Sequence, residues 1–247
     1  DPTPATAAEQ ARAEEEVERV QHEHADVSGG WLRPAVFGAS DGLVSNFALI
    51  AGVAGGSSDP QLILLAGLAG LAAGAFSMAA GEWISVRSQT EHAQAEIALE
   101  RAEIARRPKA EERELAHVYI AKGLEPELAR EVARQLSQDP EVALDVHVRE
   151  ELGIDPGDLP SAYLASGSSF VAFAIGALIP VLPYLLGAHT IWPAVVMTLL
   201  GLFLAGAFVT RLTPRHWFYG GFRQAAIGAV AAAVTYLFGS LVGGGVG

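Results

Sequence analysis

Acidic side chains recur at helical spacing in the middle of the sequence. Glu96, Glu100 and Glu103 stand at i, i+4 and i+7, so one face of a helix would present three carboxylates. Four further candidate ligands follow along the chain: Glu111, Glu114, His147 and Glu151. Carboxylates and imidazoles that converge from several helices are typical of iron and manganese sites. Spacing alone leaves open the alternative that these are solvated helix faces, with nearby arginines paired to the acids.

Three further side chains with ligand atoms fall in or beside apolar stretches. Asp41 interrupts one stretch, and Met78 and Glu82 lie one turn apart near the end of the next. An ionisable group in hydrocarbon costs about 2.5–3.5 kcal/mol on insertion scales. These residues therefore indicate a passage for a transition-metal ion, in which the thioether favours Fe²⁺ over Mg²⁺ or Ca²⁺. The alternatives are core filling for Met78, an interfacial position for Glu82 and a helix cap for Asp41.

Charge is distributed very unevenly along the chain. No Asp, Glu, Lys or Arg occurs from Leu159 through Thr210, or from Gln224 to the end. A soluble domain has no need of such stretches, so the sequence predicts an all-α, polytopic membrane protein. Five segments are long and apolar enough to cross a bilayer. They lie at about 34–56, 61–81, 162–186, 190–212 and 217–242.

The remaining segments are acidic, within a net charge of −12. Residues 1–34 hold 8 acids against 3 bases, and residues 87–160 hold 17 against 10. Such segments suit cations and argue against nucleic acid or an anionic lipid surface as their partner. The short loops rich in Lys and Arg all fall on one side, which places the tail and the middle segment in the cytoplasm. The predicted domains are a tail (1–30), two spans (31–86), a helical metal-binding insert (87–160) and three spans (161–247).

The insert is expected to fold as about four helical pieces, because prolines and Gly123 punctuate it. Apolar residues at near-helical spacing predict its core: Leu115, Val118, Tyr119, Leu124, Leu128, Val132 and Leu136. No proline interrupts the stretch between Pro60 and Pro108. As one helix it would reach roughly 70 Å at ~1.5 Å per residue and join membrane to water. The chain has no cysteine, so thiolate ligands are excluded. The first span is expected to direct insertion, since no signal-peptide pattern precedes it.

Four motifs resemble the signature stretches of the vacuolar iron transporter family. They are Phe-Gly-Ala-Ser-Asp-Gly-Leu-Val-Ser-Asn-Phe-Ala-Leu (37–49), Ala-Phe-Ser-Met-Ala-Ala-Gly-Glu-Trp-Ile-Ser-Val (75–86), Ile-Gly-Ala-Leu-Ile-Pro-Val-Leu-Pro-Tyr (175–184) and Gly-Gly-Phe-Arg-Gln (220–224). The resemblance covers the chain from about Trp31 to its end, with the motifs and the acidic insert in the family's order. It implies a bacterial-type member without the ferritin-like domain that some relatives carry.

Members of that family are five-span homodimers that move Fe²⁺, and often Mn²⁺, out of the cytoplasm in exchange for protons. By position, the family's metal-binding glutamates match Glu100, Glu103, Glu111, Glu114 and Glu151, and its passage residues match Asp41 and Met78.

Two departures from the family pattern matter. Gly70 stands where plant members have a glutamate, while Glu82 follows the Gly-Glu-aromatic pattern of bacterial members, so either Asp41 or Glu82 is the coupling acid. His147 and Val148 replace a methionine pair, which should make the insert site harder and shift its selectivity toward Mn²⁺ or Zn²⁺.

We therefore expect a homodimeric, proton-coupled exporter of Fe²⁺, with Mn²⁺, Zn²⁺ or other divalent metals as further substrates and protons as counter-ions. Glu100, Glu103, Glu111, Glu114, His147 and Glu151 would gather ions, and Asp41, Met78 and Glu82 would pass them across the bilayer. Arg outnumbers Lys 14 to 2, which favours a bacterial plasma membrane over a vacuolar one. Two alternatives are a membrane-tethered di-iron ferroxidase and an anchored metal sensor. The first lacks paired Glu-x-x-His motifs, and the second has no use for Asp41.

Overall fold

The computed structural model describes residues 30–210 and 215–243, and every regular element within those residues is helical. Of the tail predicted for residues 1–30, all but the last residue lies outside the described part of the chain. In chain order the elements are α1 (Leu32–Gly56), α2 (Pro60–Arg106), α3 (Pro108–Ala121), α4 (Pro126–Leu136), α5 (Pro140–His147), a π-helical turn (Val148–Leu152), α6 (Ala162–Leu185), α7 (Trp192–Val209) and α8 (Trp217–Gly243).

Five of the described helices, namely α1, α2, α6, α7 and α8, are long and apolar enough to cross a membrane. This confirms the five-span, all-α prediction. The second span continues without a break into the acidic segment, because α2 runs for 47 residues. Its start is fixed by Asp59, whose side chain accepts a hydrogen bond from the N–H of Gln61 at 2.9 Å, and by Pro60 at the first helical position.

The first span, α1, lies at the centre of the membrane bundle and packs against α2, α6 and α8. Its contacts with α6 and α8 are very close. A Cβ atom added at Gly42 would overlap the carbonyl oxygen of Phe173 on α6, and one added at Gly239 on α8 would overlap the carbonyl oxygen of Gly52. Spans gain little from hydrophobic burial in lipid, so this close backbone packing supplies the van der Waals contact that holds them together.

A buried amide joins three of the spans. Asn46 on α1 is 2% exposed. Its Nδ2 donates one hydrogen bond to the carbonyl oxygen of Gly67 on α2 at 3.1 Å and another to that of Ala177 on α6 at 2.7 Å. The contact with α6 comes in the turn before Pro180, where the helix lacks a backbone N–H. The carbonyl that Pro180 leaves without a helical donor is that of Gly176, so the bond from Asn46 to Ala177 adds a polar contact beside that gap.

Replacing Asn46 with alanine should destabilise the bundle by about 1–2 kcal/mol, because two buried hydrogen bonds between helices are lost. For a chain of this size the midpoint of thermal unfolding should fall by roughly 2–8 °C. The measurement is thermal unfolding of the purified chain in detergent. Ser45→Ala, at the exposed neighbouring position, is the matched control and should leave the midpoint unchanged. Equal midpoints for the two variants would contradict a linking role for Asn46.

The helices of the acidic insert each begin with a proline, which fits the first helical position because no N–H partner is needed there. Its core contains Leu115, Ala116 and Ala133, with Tyr119 and Leu136 packed against them. The prediction that Leu128 belongs to this core was wrong, since its side chain is 55% exposed. Ala129 and Ala133 of α4 are fully buried instead, and Ala133 packs against Leu115 and Ala116 of α3.

Candidate metal site

Three side chains with metal-ligating atoms meet where the insert returns to α2. Glu100 comes from α2, His147 ends α5, and Glu151 lies in the π-helical turn. The Nδ1 atom of His147 lies 3.0 Å from Oε1 of Glu151 and 3.1 Å from Oε1 of Glu100. All three ligand atoms fall within 4.8 Å of one another, and His147 is 0% exposed. The geometry is that of a small donor set in which Glu100 and His147 are buried and Glu151 is exposed.

These three groups cannot satisfy one another. A ring nitrogen carries at most one hydrogen, so the hydrogen bond between His147 and Glu151 leaves Oε1 of Glu100 buried without a donor. The Nε2 atom of His147 is also buried without a partner. Two ligands at adjacent coordination positions, each ~2.1 Å from an ion, stand about 3 Å apart. The observed spacing therefore fits a cation that would bond to Nδ1 and to both carboxylates.

Three more glutamates lie close enough to act on this donor set. The charges of Glu103 and Glu111 both contribute to the raised pKa of Glu100, and the charge of Glu114 contributes to that of Glu111. Glu111 is itself only 8% exposed. The structure places three predicted ligands, Glu100, His147 and Glu151, within ligand distance of one another. We name the six predicted ligands together the Glu–His cluster: Glu100, Glu103, Glu111, Glu114, His147 and Glu151.

Basic side chains of the insert pair with other acids. Arg101, adjacent to Glu100 in sequence, makes an ion pair with Glu141 across the insert. Lys109 pairs with Glu112 at 2.7 Å, next to Glu111 on the same helix. Among the ion pairs of residues 30–210 and 215–243, none joins an arginine or lysine to a glutamate of the cluster. The alternative in which arginines neutralise these acids does not agree with this arrangement.

Glu96, the first member of the spaced acidic series, does not belong to the cluster. Its nearest charged partner is His92, with a distance of 3.9 Å between Nδ1 and the carboxylate oxygen. The His92 side chain is 77% exposed and the Glu96 side chain 37% exposed. This pair is an ordinary solvated contact on the surface of α2.

Burial and repulsion raise the pKa values of two cluster carboxyls, those of Glu100 and Glu111. The pKa of Glu100 is raised, first by desolvation and then by the charges of Glu151, Glu111 and Glu103, while His147 opposes the shift. The pKa of Glu111 is raised for the same reasons, with Glu114 its strongest repulsive neighbour. A divalent cation would offset this repulsion directly.

Metal binding should therefore weaken on acidification at a higher pH than isolated glutamates would give. The ordinary pKa of a glutamate side chain is 4.5, and the pKa values of Glu100 and Glu111 lie above it. Protons compete with the cation below these raised values. Calorimetric titration of the full chain with Mn²⁺ between pH 7 and pH 5 measures this. A Mn²⁺ affinity that stays constant until the pH approaches the pKa of free carboxylates would contradict this prediction.

Protonation also changes the stability of the metal-free insert. Because the folded-state pKa values are raised, the folded cluster favours the protonated acids. Its stability contribution is present below the unfolded pKa and is lost as the pH rises through the folded pKa.

The three predicted passage residues lie on two neighbouring spans, Asp41 on α1 and Met78 and Glu82 on α2. Asp41 lies on the exposed side of α1, where its backbone oxygen accepts a hydrogen bond from the Ser45 hydroxyl at 2.6 Å. Met78 is half-buried beside Phe173 of α6, and Glu82 is half-buried one turn further along α2. Within the described ranges, no hydrogen bond or ion pair involves the side chain of Asp41 or Glu82. Their assignment as a passage remains a prediction.

Sequence reasoning passed over one membrane residue of structural importance. Asn46 was visible only as part of a motif, although a polar side chain inside an apolar segment is itself a signal. Only the fold shows that its amide contacts two other helices and that its Oδ1 atom is buried without a donor.

Five membrane-spanning helices joined to an acidic helical insert define an integral membrane protein with a candidate site for divalent cations. Comparison with known proteins agrees with this class. The chain belongs to the VIT family, whose model matches residues 32–240.

Curated relatives match over most of their length. The chain is 34% identical over 218 residues to vacuolar iron transporter 1 of Arabidopsis thaliana, covering 87% of each protein. It is 35% identical over 221 residues to vacuolar iron transporter 1 of rice, Oryza sativa subsp. japonica, covering 87% of this chain and 88% of the relative. It is 38% identical over 216 residues to the vacuolar iron transporter of Acanthamoeba castellanii, covering 84% and 77%. These relatives are named as transporters, which favours transport over the ferroxidase alternative.

Proposed function

We propose that this protein exports Fe²⁺ from the cytoplasm across the membrane in exchange for protons. The observation that carries the proposal is the Glu–His cluster, in which Glu100, Glu111 and His147 are buried and no lysine or arginine of the described residues pairs with a cluster glutamate. Glu100 belongs to the helix that also forms the second span. The iron transporters among the relatives support Fe²⁺ as the substrate.

In this proposal, α2 connects the Glu–His cluster to the membrane, because one continuous helix carries residues of both sites. Glu100 and Glu82 lie on one unbroken helix, 18 residues apart, or about 27 Å at ~1.5 Å per residue. The cluster concentrates cations near the mouth of the passage, because unpaired carboxylates raise the local cation concentration. Glu82 and Met78 would then receive the ion at the membrane end of the same rod.

Proton exchange follows from charge balance in the span. A cation that leaves a carboxylate in a low-dielectric site leaves an uncompensated negative charge behind. Protonation of Asp41 or Glu82 removes that charge and resets the site for return. The counter-ion is therefore a proton, and transport is an antiport.

The protein acts as a homodimer in this proposal. Asp41 is exposed on an apolar helix of the single chain, and a carboxylate facing acyl chains is costly. A second copy that covers this face would convert the exposed acid into the wall of a passage between subunits. We place the insert and the N-terminus in the cytoplasm, and the protein in a bacterial plasma membrane.

His147 sets the metal preference of the insert. Imidazole and carboxylate ligands suit Fe²⁺, Mn²⁺ and Zn²⁺, whereas the thioethers of the family's methionine pair favour softer ions. The insert should therefore accept Mn²⁺ and Zn²⁺ beside Fe²⁺.

Purified protein in proteoliposomes should accumulate Fe²⁺ when the vesicle interior is more acidic than the outside, because outward proton movement then drives inward metal movement. Dissipating this proton gradient should reduce the rate of Fe²⁺ uptake at least tenfold. The same vesicles report selectivity when Fe²⁺ is replaced by Mn²⁺, Zn²⁺ or Co²⁺ under anaerobic conditions. Uptake that is independent of the proton gradient would reject antiport. Consumption of oxygen stoichiometric with Fe²⁺ would instead favour the ferroxidase alternative.

A further inference from the structure

An apolar groove opens between α7 and α8 at the end of the bundle that carries the insert. It encloses about 540 Å³ and is lined by Leu204, Ala207, Phe208 and Trp217. Leu204 and Phe208 lie in the last turns of α7, and Trp217 begins α8, so the groove runs from the interface into the apolar zone. Leu204, Phe208 and Trp217 are all exposed in the chain.

Aromatic contacts hold the wall of the groove in place. The rings of Phe203 and Trp217 meet edge to face with centroids 6.0 Å apart, and His216 stacks on Trp217 at 5.9 Å. Phe203 also contacts Phe218 at 5.8 Å. Tryptophan rings fixed at a membrane–water boundary are typical of the headgroup level. The groove therefore has a wall of packed aromatic rings.

The end of the groove at Trp217, which we call its mouth, is close in sequence to a basic residue. Arg215 is exposed two residues before Trp217, and the sequence contains no Asp or Glu from Leu159 to its end. In the part of the chain that the structure describes, no ion pair involves Arg215. This end of the chain thus differs from the insert, whose acids repel anionic surfaces.

The first turn of α8 does not itself offer an anion site. The Phe218 N–H donates to Nδ1 of His216 at 3.3 Å, and the Tyr219 N–H donates to the His216 carbonyl at 3.1 Å. These backbone donors are already used within the chain. An anion at the mouth would consequently rely on the guanidinium of Arg215, which matches phosphate geometry.

We propose that this groove binds an anionic phospholipid from the leaflet on the insert side. One acyl chain lies against Leu204, Phe208 and Trp217, and the headgroup phosphate contacts Arg215. The positive charge of Arg215 favours an anionic over a zwitterionic headgroup. The apolar groove favours a lipid over free phosphate, because only a lipid has an acyl chain to fill it. The proposal is independent of which metal the protein carries.

The test uses the full chain in a zwitterionic detergent and native mass spectrometry of bound lipid. Phosphatidylglycerol and phosphatidylcholine with identical acyl chains compete at equal concentration. Wild-type protein should prefer phosphatidylglycerol about fivefold, because one basic residue near the surface contributes ~1 kcal/mol. Arg215→Gln should abolish the preference. Leu204→Trp, which fills the groove, should reduce binding of both lipids.

Arg223→Gln is the matched control. It removes the same charge from the same end of the bundle, but Arg223 lies six residues after Trp217 and therefore on another face of α8. There its guanidinium lies over the Tyr219 ring, 5.9 Å from the centroid. This variant should keep the preference within twofold of wild type. The proposal is overturned if both arginine variants lose the preference equally, if wild type shows none, or if Leu204→Trp binds lipid as wild type does.

Discussion

Replacing Asp41 with alanine should lower Fe²⁺ flux in proteoliposomes by at least tenfold while leaving the fold and the oligomeric state unchanged. A divalent ion that sheds water within an apolar span needs a compensating charge, because low dielectric makes the bare ion very costly. Asp41 is the one acid in the apolar part of α1. Its side chain projects from the exposed side of that helix, so little packing is lost when it is shortened.

Two neighbouring variants separate charge from shape. Asp41→Asn keeps the size of the side chain and should be as inactive as alanine, whereas Asp41→Glu should retain measurable flux. Ser45→Ala alters the same exposed side of α1 one turn away and should transport normally. Size-exclusion profiles and unfolding midpoints of all variants should match wild type. Undiminished flux in Asp41→Ala would remove Asp41 from the transport pathway, whatever the behaviour of the insert.

Much of the fold was accessible from the sequence because membranes impose a strong pattern. A span must be apolar over about 20 residues, so five long segments with almost no charged side chains sufficed to predict five helices. The continuous α2 followed from the lack of proline between Pro60 and Pro108. The core of the insert was harder to predict, since α4 buries Ala129 and Ala133 rather than Leu128. Periodicity identifies an apolar face, but close helix packing can favour its smallest residues.

The residue types of the candidate site could be predicted from the sequence, but their three-dimensional arrangement could not. Spacing placed Glu100 and Glu103 on one face of a helix, yet nothing in it showed that Arg101 turns away to Glu141. Neither did it show that a π-helical turn holds Glu151 against His147. Such turns insert one residue into a helix and often occur at functional sites. Contacts between distant segments depend on tertiary packing, which a local pattern does not encode.

The second large effect concerns Glu100. Glu100→Gln should weaken Mn²⁺ and Co²⁺ binding to the full chain by at least tenfold, since loss even of groups that only support metal ligands costs 10–100-fold. The same change should raise the unfolding midpoint of the metal-free protein, because burial and repulsion already disfavour the ionised carboxylate. Opposite signs for affinity and stability are the signature of a ligand held under electrostatic strain. Calorimetry and thermal unfolding, each with and without metal, measure the two quantities.

Glu112→Gln is the control that distinguishes loss of a cluster ligand from loss of any nearby negative charge. It removes one negative charge beside Glu111, but Glu112 pairs with Lys109 and lies outside the Glu–His cluster. The metal affinity of the Glu112→Gln variant should stay within twofold of wild type, because a charge paired at the surface contributes little to the binding of a cation elsewhere. His147→Met should keep the fold but weaken Zn²⁺ and Mn²⁺ binding, since a thioether replaces the imidazole nitrogen. If Glu100→Gln and Glu112→Gln bind metal equally well, the cluster acts only as a diffuse negative field. The selectivity assigned to His147 would then have no structural basis.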